Sequence, residues 1–341
     1  MNKSLIFLAL TAACAQLAGA AELPACLGKP APMRVSREMP YALAAVGGST
    51  GYFALDYGAN VSSIDLGAMP EAKPLPGSCD AAKLGQACAF ADMDFGGSQG
   101  QVSLLTADYS GLNLDLRQAG LIGTDFLSEK AYTLDFAGGK LSFAGRDNFC
   151  KPDALRAAGF APMNTAGYFS SDTSTLLPLS SLDGKYGGAL TVPNVPAVPV
   201  RLAGVEASAQ LDTGYSDYIV RHAVNINPAL YSRIAAAAPK ALVRWPDGDK
   251  KLSTCVPGVL EAVEAYRLNT GALEFVATDG AALRSFRQVA VYVKRTPQAA
   301  MSCGGIGTHT KPSAQLGGSF MADLGVVVFD PFASRVWALK Q

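Results

Sequence analysis

Two aspartates stand in the same short context. Phe53-Ala54-Leu55-Asp56-Tyr57-Gly58-Ala59 and Ala209-Gln210-Leu211-Asp212-Thr213-Gly214-Tyr215 each run an extended apolar stretch into Asp-x-Gly. A glycine two residues after the acid lets backbone approach closely and point its N–H groups inward, which fixes the angle of a carboxylate. Two such turns set face to face would bring two carboxyl groups within hydrogen-bonding reach. Like charges that close do not both ionise cheaply, so the pair holds one proton. The ionised member can then activate a water while the protonated member polarises a carbonyl. Asp56 and Asp212 are therefore the candidate catalytic residues, with Tyr57, Gly58, Thr213 and Gly214 shaping the turns. A lone Asp-x-Gly is an ordinary β-turn; the duplication carries the reading.

The repeat continues downstream. After Asp56 come Leu121-Ile122-Gly123-Thr124-Asp125-Phe126, then Tyr132-Thr133-Leu134-Asp135 and a strand from Lys140. After Asp212 come Leu316-Gly317-Gly318-Ser319-Phe320, then Val327-Val328-Phe329-Asp330 and a strand from Arg335. Gly123 and Gly317 are expected to pass under the Asp turns, where a side chain would clash. Short alternating runs rich in Val, Leu, Tyr and Phe, broken by Gly and Pro, predict mostly β structure. Val198–Leu202 is one such run, turning at Ala203-Gly204 into the strand that ends at Asp212. Short helices are expected at Asp153–Ala158, Asn227–Ala238 and Pro257–Arg267. A unit this long predicts two duplicated lobes rather than a solenoid. The division adopted is 21–165 for the lobe with Asp56 and 166–341 for the lobe with Asp212, joined through a loop-like stretch at 151–185.

In this order and spacing the motifs resemble the aspartic proteases, both pepsin-like and retropepsin-like. Phe53–Ala59 resembles the active-site strand and turn of a retropepsin, and Leu316–Met321 with Val327–Asp330 and Arg335–Trp337 resembles the closing segment of a pepsin C-terminal lobe. The resemblance implies two β-barrel-like lobes with a cleft between them, hydrolysis of peptide or protein substrates, no cofactor and no metal. It also implies a flap over the cleft, for which Phe95, Gly96 and Gly97 are the candidates, preceded by a small loop closed by Cys79 and Cys88. Three positions depart from the family pattern. Tyr57 replaces a Thr or Ser whose hydroxyl bonds across to the other turn, Tyr215 replaces a small residue, and Phe95 replaces a flap tyrosine. These departures keep a second reading open: a peptide-binding protein of the same fold, weak or inactive in catalysis.

The rest of the chain bounds these readings. Of 341 residues, 16% are charged and 49% hydrophobic, which excludes disorder, and Lys+Arg equals Asp+Glu with no like-charge run, which argues against a nucleic-acid partner. Lys3, the apolar run Leu5–Leu10 and Ala18-Gly19-Ala20 read as a signal peptide over residues 1–20, a retained anchor being the other reading. Export to the periplasm or beyond is expected, with no stable membrane insertion and a monomeric state. Loss of the leader leaves Cys26, Cys79, Cys88, Cys150, Cys255 and Cys303, an even set that implies disulfides in an oxidising compartment. Six cysteines allow 15 pairings; keeping each bridge within one half favours Cys79–Cys88, Cys255–Cys303 and Cys26–Cys150. Gly47-Gly48-Ser49-Thr50-Gly51 formally fits a serine-hydrolase elbow, but a strand follows it where that motif needs a helix, so it reads as a hairpin turn. His222 and His309 read as surface residues.

Overall fold

The computed structural model describes residues 23–112, 115–165, 177–178, 191–192, 195–303 and 305–340. The leader at 1–20 and much of the expected linker lie outside these residues. Strand accounts for 42% and helix for 15%, so the chain is mostly β. Walking the first half, the strands are β1 (Ala31–Pro32), β2 (Arg34–Ser36), β3 (Met39–Val46), β4 (Ser49–Leu55), β5 (Ser63–Ile64), β6 (Ala87–Phe95), β7 (Ser98–Thr106), β8 (Gln118–Ile122), β9 (Ala131–Asp135), β10 (Lys140–Ala144) and β11 (Phe160–Asn164). A short pair, β12 (Leu177–Pro178) and β13 (Thr191–Val192), follows. The second half contains β14 (Ala197–Leu202), β15 (Val205–Leu211), β16 (Ala223–Ile226), β17 (Leu242–Arg244), β18 (Lys250–Ser253), β19 (Leu260–Leu268), β20 (Leu273–Val276), β21 (Ala282–Phe286), β22 (Ala290–Arg295), β23 (Ser313–Leu316), β24 (Val326–Asp330) and β25 (Arg335–Leu339).

The same pairing scheme occurs twice. In the first half β3 pairs antiparallel with β4, β4 parallel with β8, β8 antiparallel with β5, β5 parallel with β7, and β7 antiparallel with β6. In the second half β14, β15, β23, β16, β22 and β19 follow one another in the same succession of senses. The first series closes on itself, because β6 also pairs with β3 through Ala45↔Asp94 and Val46↔Met93. The second stays open: β14 pairs with β20 instead.

A six-stranded sheet in the order β1-β10-β9-β24-β25-β11 draws on both ends of the chain. Its centre is two-fold symmetric. Asp135 and Asp330 end equivalent strands 195 residues apart (330 − 135), and Thr133 moved by that interval becomes Val328, its own cross-strand partner. All five residues of β24 are buried, as a strand covered on both faces requires, and this explains an unbroken Val-Val-Val-Phe run. One side packs with Leu27, Leu155, Phe160 and Trp337 around the Cys26–Cys150 bridge. The other joins a core that runs from Phe53 and Tyr57 through Phe329 to Leu211 and Phe320.

Cys79–Cys88 and Cys255–Cys303 are also bridged, so all three favoured pairings are present. After the one-turn helix α1 (Thr124–Leu127), α2 (Pro152–Ala157) and α3 (Pro228–Ala237) lie where sequence placed helices. In α3 the Asn227 side chain accepts from the Leu230 N–H at 3.0 Å, Pro228 occupies the first turn, and Leu230 and Ile234 bury one face. The expected helix at Pro257–Arg267 is instead strand β19. Its Ala and Glu content favours helix, but Glu261, Val263 and Ala265 alternate inward and pairing with β18 and β22 prevails. Within the expected linker stretch, α2 is followed by β11, a strand paired with β25 that the sequence reading did not place. Gly47-Gly48 is a hairpin turn, with φ of 56° and 86°. Among the described residues no helix is long and apolar enough to cross a membrane.

Candidate active site

β4 ends at Leu55 and β15 at Leu211, and each aspartate follows its strand directly. The Asp56 N–H donates to the Ile122 carbonyl at 2.8 Å, and the Asp212 N–H donates to Leu316 at 2.9 Å. Each acid then accepts from the glycine two residues on: Gly58 N to Asp56 Oδ1 at 2.7 Å and Gly214 N to Asp212 Oδ1 at 3.0 Å. The two turns face one another so closely that each glycine lies against the opposite carboxyl. A Cβ on Gly58 would stand 2.2 Å from Asp212 Cγ, and one on Gly214 would stand 2.4 Å from Asp56 Cγ. The carboxyl groups are within hydrogen-bonding reach of each other. Gly123 and Gly317 pass under the turns: a Cβ there would lie 2.9 Å from the Ala59 carbonyl and 2.5 Å from that of Tyr215.

Thr213 ties the turns together. Its hydroxyl donates to the Leu55 carbonyl at 2.5 Å and accepts from the Tyr57 N–H at 2.9 Å. Tyr57, at the matching position, is fully buried and lies flat on Phe329, with ring centroids 3.6 Å apart and planes 11° apart. Its bulk is thus absorbed by packing onto the shared sheet.

Burial pushes both acids above the ordinary carboxylate value. Asp212 is pushed further, by burial first and then by the charge of Asp56. Asp56 is relieved by its bond to Asp212 and by backbone N–H groups of Gly58, Gly214 and Ala59. The pair therefore keeps a proton above the range in which isolated carboxyls lose theirs. Beside Asp56 opens a cavity of about 170 Å³ lined by Met39, Tyr109, Leu112, Tyr215 and Tyr218, with Arg37 among its walls.

The candidate flap is elsewhere. Phe95 is buried and stacks near Tyr132, with centroids 6.1 Å apart; Gly96 lies against Tyr132 and Gly97 against Phe143, and Lys130 Nζ donates to the Gly96 carbonyl at 2.7 Å. The strand leading to this tip pairs Met93 and Asp94 with Val46 and Ala45 of β3. None of Phe95, Gly96 and Gly97 lines the cavity beside Asp56. Phe95 anchors the base of the tip in the core, while Gly97 at the turn is exposed. The loop after β7, with Tyr109 and Leu112, is what reaches the cavity.

Several residues of the site escaped the sequence reading. Ser62 and Asp125 brace the first turn: Asp125 accepts from Ser62 N at 2.8 Å and Ser62 Oγ at 2.7 Å, while Ser62 Oγ accepts from Gly123 N at 2.9 Å. Gln315 Nε2 donates to Asp212 Oδ2 at 2.6 Å. A signal for Gln315 was present, since the first copy has Leu121 at that place in the repeat. His222 is not a surface residue; only 16% of its side chain is exposed, and it packs between Phe286 and Phe320 beside Asp323. His309 is exposed. Among the described residues no cluster of three or more His, Cys, Asp or Glu side chains could hold a metal ion.

Burial raises the Asp125 carboxyl from 3.8 to about 6. The folded state therefore holds this proton where the unfolded chain releases it. The stabilisation it brings is complete below the unfolded value and is lost as pH rises through about 6. A shift of this size corresponds to about 2–3 kcal/mol. Asp125→Asn is expected to reduce the loss of stability between pH 4 and pH 7 by that order, measured by denaturant unfolding of both proteins at each pH. Equal losses in the two proteins would remove Asp125 from the account.

No family model matches the chain, and no curated protein sequence matches it.

Proposed function

We propose that this protein is an exported aspartic endopeptidase of two-lobed, acid-protease arrangement, in which Asp56 and Asp212 activate one water against a peptide carbonyl. The observation that carries the reading is the mutual approach of the turns, with Gly58 against the Asp212 carboxyl and Gly214 against that of Asp56. Asp56, ionised, takes a proton from the water as its oxygen bonds to the carbonyl carbon. Asp212, protonated, gives its proton to the carbonyl oxygen. The tetrahedral intermediate then breaks its C–N bond, the leaving nitrogen takes the proton held by Asp56, and the carboxylic acid product forms as Asp212 recovers its own. The three disulfides support an oxidising compartment, periplasmic or extracellular.

A second reading is a peptide-binding protein of the same arrangement without turnover. It is favoured by the small cavity at Asp56 and by the three tyrosines that crowd it. Incubating the purified protein with an unfolded protein from pH 3 to pH 8, with and without a statine-type peptide, separates the two. The endopeptidase reading expects cleavage that the peptide suppresses, with an acid limb above the ordinary carboxylate range because both acids are raised. Saturable binding of the peptide with no cleavage at any pH supports the second reading and ends the first.

A further inference from the structure

The surroundings of the two acids break the symmetry of the repeat at one place. In the first half, β8 runs beside β4 with Ala54↔Leu121 and Leu55↔Ile122. In the second, β23 runs beside β15 with Gln210↔Gln315 and Leu211↔Leu316. Gln315 thus occupies the place of Leu121, and only the polar residue can donate to its neighbouring acid. Across the next pairing the partners also differ: Leu121 faces Ser63 on β5, and Gln315 faces Asn225 on β16. Asn225 is buried, and its Nδ2 donates to Gln315 Oε1 at 2.9 Å. That bond fixes the Gln315 amide with nitrogen toward Asp212, where Nε2 reaches Oδ2 at 2.6 Å. A reversed amide would set two acceptors against each other at Asp212 and two donors against each other at Asn225.

Resting on the endopeptidase reading, we infer that Gln315, aligned by Asn225, is a positioning residue that makes the two acids inequivalent by holding Asp212 Oδ2 as an acceptor, so that the shared proton is confined to Asp212 Oδ1. The charge of the fully deprotonated pair is stabilised by this donor. The singly protonated pair, with its proton on Asp212, gains much less. Loss of the donor therefore raises the second ionisation of the pair and leaves the first nearly unchanged. Other ionisable side chains stand around the pair, Asp125 among them, bonded to Ser62 behind the first turn. Tyr109 and Tyr215 are both raised above the ordinary phenol value, mainly by burial. Arg37 lines the cavity at Asp56. Behind the two tyrosines, Asp65 is paired with Arg117 and Asp217 with Lys250.

The test is Gln315→Leu, the residue the first copy carries. The alkaline limb of kcat/KM is expected to move up by about one pH unit while the acid limb stays in place. Asn225→Val, which keeps Gln315 but frees its amide, is expected to shift the same limb in the same direction by less. Carboxyl ¹³C titration of aspartate-labelled wild-type and variant protein reads the same displacement without turnover, so the inference is testable even if no substrate is cleaved. Absence of hydrolysis by wild type would end the endopeptidase reading alone. Unmoved carboxyl titrations in both variants, or movement confined to the first ionisation, would overturn the role given to Gln315.

Discussion

Asp212→Asn is expected to lower peptide hydrolysis by about 10³-fold or more while leaving the protein folded, because a positioned acid or base contributes about 10²–10⁴ and the pair works as one unit. Asparagine matches the shape of the acid and still accepts one of the two bonds now made by Gly214 and Gln315. It also removes a group whose ionisation is disfavoured by burial and by Asp56, so unfolding at neutral pH is expected to change little. Asp56→Asn is expected to cost as much. The double variant is expected to be no slower than either single variant, since half a pair cannot both activate water and protonate the carbonyl. Rates are read on an unfolded protein substrate, with unfolding curves as the control for structure. Hydrolysis within tenfold of wild type in either single variant would remove the pair from the mechanism.

Gly58→Ala is expected to do nearly the same damage by a different route. The added methyl would sit 2.2 Å from Asp212 Cγ, a separation no real Cβ tolerates. Backbone cannot yield easily, because the Gly58 N–H is bonded to Asp56 Oδ1 at 2.7 Å and the adjacent Tyr57 N–H to Thr213. The Asp212 carboxyl must move instead, away from Gln315 and out of line with Asp56. Overpacking of this kind costs about 1–3 kcal/mol, and displacement of a reacting group by about 1 Å costs about 10²-fold in rate. Gly214→Ala, aimed at Asp56, is expected to behave alike. Gly145→Ala is the control: nothing lies within 4 Å of its added methyl, and stability is expected to stay within about 0.5 kcal/mol. If Gly58→Ala keeps wild-type rate and stability, the two turns do not approach in solution as they do in the structure.

The sequence exposed the elements that are written twice. Asp56 and Asp212, their glycines, Gly123 and Gly317, and the strands ending in Asp135 and Asp330 all repeat, so each copy corroborates the other. What stayed hidden is what the copies do not share. Tyr57 looked like an obstacle because its destination, the face of Phe329, lies 272 residues onward in the chain (329 − 57). Gln315 sits one residue before the Leu316-Gly317 element, at a place where the first copy has an apolar Leu121. The flap assignment rested on a glycine-rich hairpin alone; glycines announce a turn, but not what it packs against, here Tyr132 and Phe143. Those contacts span more than thirty residues of chain and have no local signature. In β19, local helix preference pointed one way and the sheet the other.

The six-stranded sheet centred on Thr133↔Val328 has a consequence for biosynthesis. β9 can pair with β10 at once but finds its other neighbour only when β24 exists, and β11 pairs only when β25 does. Segments near residue 132 must therefore wait for some two hundred further residues to be translated, and pairings of such sequence separation form slowly. Under the endopeptidase reading, a nascent chain carries no assembled proteolytic centre while it is still threading out of the ribosome or across a membrane, and the cell that makes it is spared.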